Sequence, residues 1–270
     1  MSAIGLFDSG VGGLSVLRRL LQAMPGRDYR YFADSFHMPY GSRSTENIEN
    51  IVMAICDFLI GQGCKAIVMA CNTSSALALA KVRGRYDIPI IGVLEPGARA
   101  AVNATRNGKI GVMATEGTVR SGAYLRAVHW LRTDCIVYSQ PCPKLAPLVE
   151  RGHFGGSEVM SALTEYVPPL LAQGVDTIVM GCTHYPFLYE AIAKLLPPGV
   201  CIVDPALETV SEVMAILGAT PLAGATNLSF YASGSVEDFM RVGRGLIGVV
   251  PNAQKVYFRE HPTGLTVELE

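Results

Sequence analysis

Two cysteines stand at matching places in a stretch that occurs twice. Residues 61–73 read Gly-Gln-Gly-Cys-Lys-Ala-Ile-Val-Met-Ala-Cys-Asn-Thr, and residues 172–184 read Ala-Gln-Gly-Val-Asp-Thr-Ile-Val-Met-Gly-Cys-Thr-His, so Gln-Gly, Ile-Val-Met and a closing Cys recur in register. Each copy predicts a helix end, a glycine turn and a short buried strand, with Cys71 or Cys182 just past the strand's carboxyl end. In open α/β sheets that is where ligands bind, because the loops there present backbone N–H groups and helix N-termini to a crevice. Two such thiols suit one reaction in particular, removal of a proton from the carbon beside a carboxylate and its return on the opposite face. Thiolate serves as base there if its pKa is tuned toward working pH and water is excluded. Asp8 and His184 are candidates to set the thiols' protonation states, and Ser9, Asn72, Thr73 and Thr183, with helix N-termini, to stabilise the carbanion.

Other chemistry for the same residues stays open at this point. Cys71, Cys182 and His184 are possible soft metal ligands, although no pair has the short spacing of a closed zinc site. A redox dithiol normally shows C-x-x-C, which is absent. A pyridoxal phosphate enzyme needs a Schiff-base lysine, and Lys65, Lys81 and Lys144 occupy no fitting strand end. A non-enzymatic binder of small acids would use the same cleft without the thiols. His184 alone reads equally well as a structural histidine, Glu150 as a solvated helix-end carboxylate, and Asp8 as a helix cap or Asx-turn.

The elements that must position these groups follow a βα order. Ile4-Gly5-Leu6-Phe7 predicts a buried strand, Asp8-Ser9-Gly10-Val11-Gly12-Gly13 a glycine-rich turn, and Leu14 to Met24 a helix. The turn is a weak dinucleotide signal, since the third glycine of that fingerprint falls on Ser15. Tyr29 to Ala33 is a second strand; after the Pro39-Tyr40-Gly41 turn, Thr45 caps an amphipathic helix that leads to Cys71. Asn72-Thr73-Ser74-Ser75 offers capping oxygens for the next helix. A thiol in such a first turn is expected to have its pKa lowered below about 8.5. Ile88 to Leu94 reads as a strand closing at Glu95-Pro96. The pattern restarts at Lys109, with Thr115-Glu116-Gly117-Thr118-Val119 in the place of the first glycine-rich turn, a strand from Cys135 to Tyr138, and a helix from Ser157 to Leu171 that Pro168-Pro169 should kink or split. Asp204-Pro205 mirrors Glu95-Pro96. A helix from Leu207, a strand from Leu228 to Ala232, a last helix opened by Ser233-Gly234-Ser235-Val236-Glu237 and a surface strand or loop beyond Pro251 complete the chain.

Half of the 270 residues are hydrophobic and 17% charged, with a net charge of −1, which gives ample core and no basic surface for nucleic acid or an anionic membrane. The N-terminus has no leader pattern and no apolar run is long enough to span a bilayer, so a soluble, cytoplasmic protein is expected. Seven cysteines without a C-x-x-C pair read as reduced thiols.

Taken together, Asp8-Ser9-Gly10-Val11-Gly12-Gly13-Leu14, Pro39-Tyr40-Gly41, Ala70-Cys71-Asn72-Thr73, Glu95-Pro96-Gly97, Cys142-Pro143-Lys144 with Glu150, and Gly181-Cys182-Thr183-His184-Tyr185-Pro186 resemble the motif set of the glutamate racemases, in that family's order. The resemblance implies cofactor-independent, two-base interconversion of L- and D-glutamate that supplies D-glutamate for peptidoglycan, with no metal. By it, Cys71 acts on the D-isomer and Cys182 on the L-isomer. Asp8 and His184 assist their thiols, Glu150 is a further ionisable group nearby, and Asp8, Ser9, Tyr40, Gly41, Asn72, Thr73, Thr183 and His184 contact substrate. It also implies two pseudosymmetric open-sheet α/β domains with the active site in the cleft between them, residues 1–97 with 208–270 forming the first and 98–207 the second, in a homodimer. Ser35-Phe36-His37-Met38, Ser74 and Phe187 depart from the family pattern without touching the thiols. Aspartate racemase, of the same superfamily, is the nearest enzymatic alternative, since one methylene is worth only about 1–3 kcal/mol of discrimination.

Overall fold

A computed structural model describes residues 3–219, 222, 224–248, 250, 252–262 and 264–270. Met1 and Ser2, on which the leader expectation partly rests, lie outside these. In chain order the elements of the first part are β1 (Ala3–Asp8), α1 (Leu14–Ala23), β2 (Tyr29–Ala33), α2 (Thr45–Gly61), β3 (Cys64–Met69), α3 (Asn72–Arg83), β4 (Ile90–Gly92) and α4 (Leu94–Ala104). There follow β5 (Lys109–Ala114), α5 (Glu116–Ser121), α6 (Ala123–Leu131), β6 (Ile136–Pro141), α7 (Leu145–Glu150), α8 (Ser157–Leu171), β7 (Thr177–Gly181), α9 (Tyr189–Ala193), β8 (Cys201–Val203) and α10 (Pro205–Leu217). β9 (Leu228–Ala232), α11 (Val236–Ile247), β10 (Ala253–His261) and β11 (Gly264–Leu269) close the chain.

The strands form two sheets, ordered β11-β10-β9-β2-β1-β3-β4 and β6-β5-β7-β8. All neighbours are parallel except the terminal hairpin of β10 with β11. The run β2-β1-β3-β4 has the same order as β6-β5-β7-β8, so β3 and β7, each ahead of a cysteine, are equivalent strands. Parallel strands covered on both faces must be apolar throughout; all six residues of β1 and all five of β7 are buried. A single apolar core crosses between the sheets, bringing Val11, Leu14 and Leu17 together with Leu148, Val149, Tyr185 and Leu188. Each such large side chain contributes about 1.5–3 kcal/mol by leaving water, so the two halves are held by packing as well as by chain connections. Among the described residues no helix is long and apolar enough to cross a membrane.

Several local expectations change. Ser44 caps α2, accepting from Asn47 N at 3.2 Å, and Thr45 is already helical. Leu94, Glu95 and Pro96 open α4 instead of closing a strand, since a proline costs no hydrogen bond in a first helical turn; Asp204 likewise caps α10, with Pro205 first in it. Helix α8 stays whole through Pro168 and Pro169, which lie in its last turns on the exposed face, where the carbonyls they leave free meet water. The stretch Thr115 to Val119, expected as the counterpart of the glycine-rich turn, already enters α5, which Gly122 ends in the left-handed region with φ of 64°. The C-terminal hairpin extends the first sheet, with Val256 fully buried and the Phe258 ring 4.4 Å from that of His37.

Candidate active site

The strand order 2-1-3 makes the gap between β1 and β3 a topological switch point, and Asp8 and Cys71 sit at its carboxyl edge. Asp8 is fully buried; Oδ1 accepts from Gly10 N at 3.0 Å, an Asx-turn, while Oδ2 accepts from the Thr183 hydroxyl at 2.8 Å. The plain turn-forming reading of Asp8 and a reading that ties it to the second half therefore hold together. Burial pushes its carboxyl above the usual range, against the opposing pull of His184 and Thr183. The glycines of this turn exist for close approach: a β-carbon on Gly10 would collide with the Glu150 carboxylate, one on Gly12 with Thr183 and His184, and one on Gly13 with Asp8 and the Tyr31 hydroxyl. The face that would cradle a pyrophosphate is filled by those side chains, which removes the dinucleotide alternative.

Cys71 itself is the N-cap residue of α3, and no side chain caps that end. Ser74 and Ser75, expected as caps, instead donate to Cys71 O and Met69 O at 3.0 Å each. The Cys71 thiol lies 3.9 Å from Ser9 Oγ. Its pKa moves opposite to the helix-terminus expectation: burial, then the Asp8 carboxylate, push it up to about 11, and the Ser74 backbone N–H offsets only part of that. Desolvation outweighs the macrodipole because Cys71 is 5% exposed, a depth that local spacing does not reveal.

On the other side Cys182 follows β7 directly, with His184 Nδ1 3.4 Å from its sulfur. His184 Nε2 lies 2.6 Å from Glu150 Oε1, which also accepts from Val11 N at 2.9 Å. Glu150, at the end of α7, is thus no solvated helix-end carboxylate. Burial favours a neutral His184 ring, but Cys182 and Glu150 on its two nitrogens prevail and hold its pKa well above 6.5. Glu150, His184 and Cys182 form a line that delivers a proton-sharing imidazole to the sulfur.

Both thiols line one cavity of about 150 Å³, with Ser9, Tyr40, Gly41, Asn72, Thr73, Thr183 and His184. Asp8 and Glu150 do not reach it and stand behind the lining. Tyr40 presents its ring, because its hydroxyl donates to the buried Asp34 at 2.6 Å. Thr115, Glu116 and Cys142 also line the cavity. The Thr115 and Thr118 hydroxyls lie 2.9 and 3.2 Å from Thr73 Oγ1, across the junction of the halves. Sequence reasoning assigned these threonines no role, although their place as counterpart of the first glycine-rich turn was a signal. Asp34 and Tyr124, which hold Tyr40 and Asn72, carried none. No Lys or Arg lines the cavity among the described residues. An anion there must be held by amide N–H groups, hydroxyls, the Asn72 amide and the protonated His184 ring. Among the described residues no group of three or more His, Cys, Asp or Glu side chains is placed to hold a metal ion.

Residues 4–213 match the family model described as Asp/Glu/Hydantoin racemase. The chain is 43% identical over 258 residues to the glutamate racemase of Desulforudis audaxviator, an alignment covering 92% of this chain and 94% of that one. Its fold matches the crystal structure of a glutamate racemase isoform from Bacillus anthracis with a TM-score of 0.89 at 37% identity, over 93% of this chain and 96% of that one. It matches that of the Francisella tularensis glutamate racemase in complex with D-glutamate with a TM-score of 0.86 at 32% identity, over 93% and 95%. With nearly its whole length matched in sequence and two sheets matched in fold, the chain belongs to the Asp/Glu/hydantoin racemase family.

Proposed function

We propose that this protein interconverts L- and D-glutamate with Cys71 and Cys182 as its two acid/base groups, supplying D-glutamate for peptidoglycan synthesis. One observation carries the reading: two thiols at equivalent strand ends of two like-ordered sheets open into the same small cavity. With L-glutamate bound, the Cys182 sulfur takes the α-proton, the C–H electron pair passes into the carboxylate-stabilised carbanion, and the Cys71 thiol returns a proton on the other face. D-glutamate reverses the roles. A Cys71 thiol that keeps its proton up to about 11 suits it as the resting acid for the L-isomer. His184, whose ring keeps its own proton above the usual imidazole range, stands 3.4 Å from the other sulfur and supports negative charge there before the substrate proton arrives. Backbone N–H groups of the uncapped α3 terminus, with Asn72 and Thr73, support the negative charge that develops in the transition state, while Thr183, its hydroxyl given to Asp8, shapes the wall. Both proton transfers thus use groups of the chain, without an added cofactor.

We assign residues 1–97 with 208–270 to one domain and 98–207 to the other, a division supported by the two sheets. Seven unpaired cysteines support a reducing, cytoplasmic setting. The homodimer implied by the resemblance is supported by Trp130, 85% exposed on α6 beside Leu131, and sedimentation velocity tests it.

The deciding assay follows circular dichroism of L-glutamate and, separately, L-aspartate in deuterated water. Loss of ellipticity with uptake of one deuterium at the α-carbon is expected for glutamate, far faster than for aspartate. Faster turnover of aspartate, or inversion without deuterium, overturns the assignment.

A further inference from the structure

The proton-transfer scheme leaves Glu95-Pro96-Gly97 without a task. Gly97 lies in the first turns of α4, and a β-carbon there would stand 3.0 Å from Cβ of Pro205 and 3.1 Å from the Tyr124 hydroxyl. Glycine keeps room for that hydroxyl. Tyr124, 2% exposed on α6, donates it to Oδ1 of Asn72 at 2.8 Å, and Asn72 opens α3 directly after Cys71. The bond joins the second half of the molecule to a residue of the cavity wall in the first. Among the described residues it is the only hydrogen bond the Asn72 side chain makes within the chain, so its Nδ2 remains for whatever enters the cavity.

A primary amide is nearly symmetric in shape and opposite in polarity at its two ends. In a cavity whose described lining has no Lys or Arg, exchanging those ends replaces two donors with an acceptor facing a carboxylate. That exchange turns attraction into repulsion. We infer that Tyr124 is a positioning residue that fixes the sense of the Asn72 amide, holding its oxygen so that its N–H donors face a carboxylate of the substrate; this rests on the glutamate reading above. Tyr124 touches no reacting atom and acts through Asn72 alone. Gly97 belongs to the same device, as the space in which the hydroxyl sits.

The test is steady-state kinetics of the full chain in both directions, on wild type, Tyr124→Phe, Asn72→Ala, the double variant and Asn72→Asp. Tyr124→Phe removes one hydroxyl and is expected to raise KM about tenfold for both enantiomers, with kcat changed less. Because Tyr124 acts through Asn72, the double variant should match Asn72→Ala within about twofold, a result that a merely structural tyrosine would not give. Asn72→Asp keeps the acceptor for Tyr124 but presents a second oxygen to the substrate, and should bind glutamate more weakly than Asn72→Ala. Unchanged KM in Tyr124→Phe, losses that multiply in the double variant, or Asn72→Asp binding as well as Asn72→Ala each overturn the inference. Should Tyr124→Phe fail to fold, Gly97→Ala crowds the same hydroxyl and is expected to give the same KM-first loss; an unchanged KM there overturns the inference as well. Absence of turnover by wild type removes the racemase reading itself, whereas wild-type turnover with an indifferent Tyr124 removes this inference alone.

Discussion

Exchanging Glu150 for Gln keeps the length of the side chain and deletes its charge, and the geometry fixes what is lost. Oε1 accepts from Val11 N at 2.9 Å and lies 2.6 Å from His184 Nε2, so both partners can still be met by an amide oxygen. What disappears is the charge assistance of the second contact. Hydrogen bonds to charged groups contribute about 1.5–3 kcal/mol and neutral ones about 0.5–1.5. The difference, about 1–1.5 kcal/mol, corresponds to roughly five- to tenfold in kcat/KM. Enantiomers have equal free energies, so the loss must be the same in both directions; only kcat and KM taken separately are free to differ between L- and D-glutamate. The carboxylate also helps keep the proton on His184 well above 6.5. In Glu150→Gln the ring gives up its proton at lower pH, so the basic limb of the kcat/KM profile moves down the pH scale. Circular dichroism assays from both enantiomers across pH measure all of this. Activity within twofold of wild type and an unmoved basic limb would refute the reasoning, reducing Glu150 to a prop for the loop at Val11.

Cys71→Ala and Cys182→Ala should each lower kcat/KM by at least about 10²–10⁴-fold while leaving the far-ultraviolet spectrum and the denaturation midpoint near wild type; substantial turnover by either removes the two-thiol scheme. Gly12→Ala drives a methyl into Thr183 and His184 and is expected to destabilise by about 1–3 kcal/mol in urea titrations, with activity falling alongside. For Asp8 the folded pKa lies above its ordinary 3.8, so the folded state binds the proton more tightly than the unfolded chain. Its contribution is therefore whole below pH 3.8 and is lost as pH rises through the raised folded value, and Asp8→Asn should be at least as stable as wild type at neutral pH yet slower in racemisation. A variant that loses stability relative to wild type as pH rises would contradict that sign.

The thiols were legible because their signal is periodic and local. Ile-Val-Met before each cysteine reads as a buried strand wherever it stands, and a strand's carboxyl end in a parallel sheet is a fixed place. Their acid strength was not legible in the same way. The first turn of α3 argues for a lowered Cys71 pKa, and only the depth of burial beside Asp8, set by contacts far apart in sequence, reverses it. The glycine-rich turn failed differently: its composition admits a phosphate cradle, but glycine also serves when side chains from elsewhere occupy the space, as Glu150, Thr183 and His184 do here. Proline was ambiguous for a similar reason, since a strand end, a helix start and a solvent-facing last turn all tolerate it, as Pro96 and Pro168 illustrate. Asp34 and Tyr124 lie in no repeated pattern, and what they hold, Tyr40 and Asn72, is brought to them only by the folded chain.

The duplication stops being symmetric at the side chains. Backbone order repeats from one sheet to the other, and so do the thiols, but the groups that tune them do not. Cys71 has a buried carboxylate nearby and a hydroxyl at 3.9 Å, whereas Cys182 has an imidazole at 3.4 Å backed by Glu150. A carboxylate beside a thiol favours its protonated form, whereas an imidazole that keeps its own proton is a positive neighbour and acts in the opposite sense. For an isomerisation with an equilibrium constant of one, this asymmetry cannot favour either product. It can show only in kcat and KM taken separately for the two enantiomers, which the unlike neighbours of the two sulfurs leave free to differ.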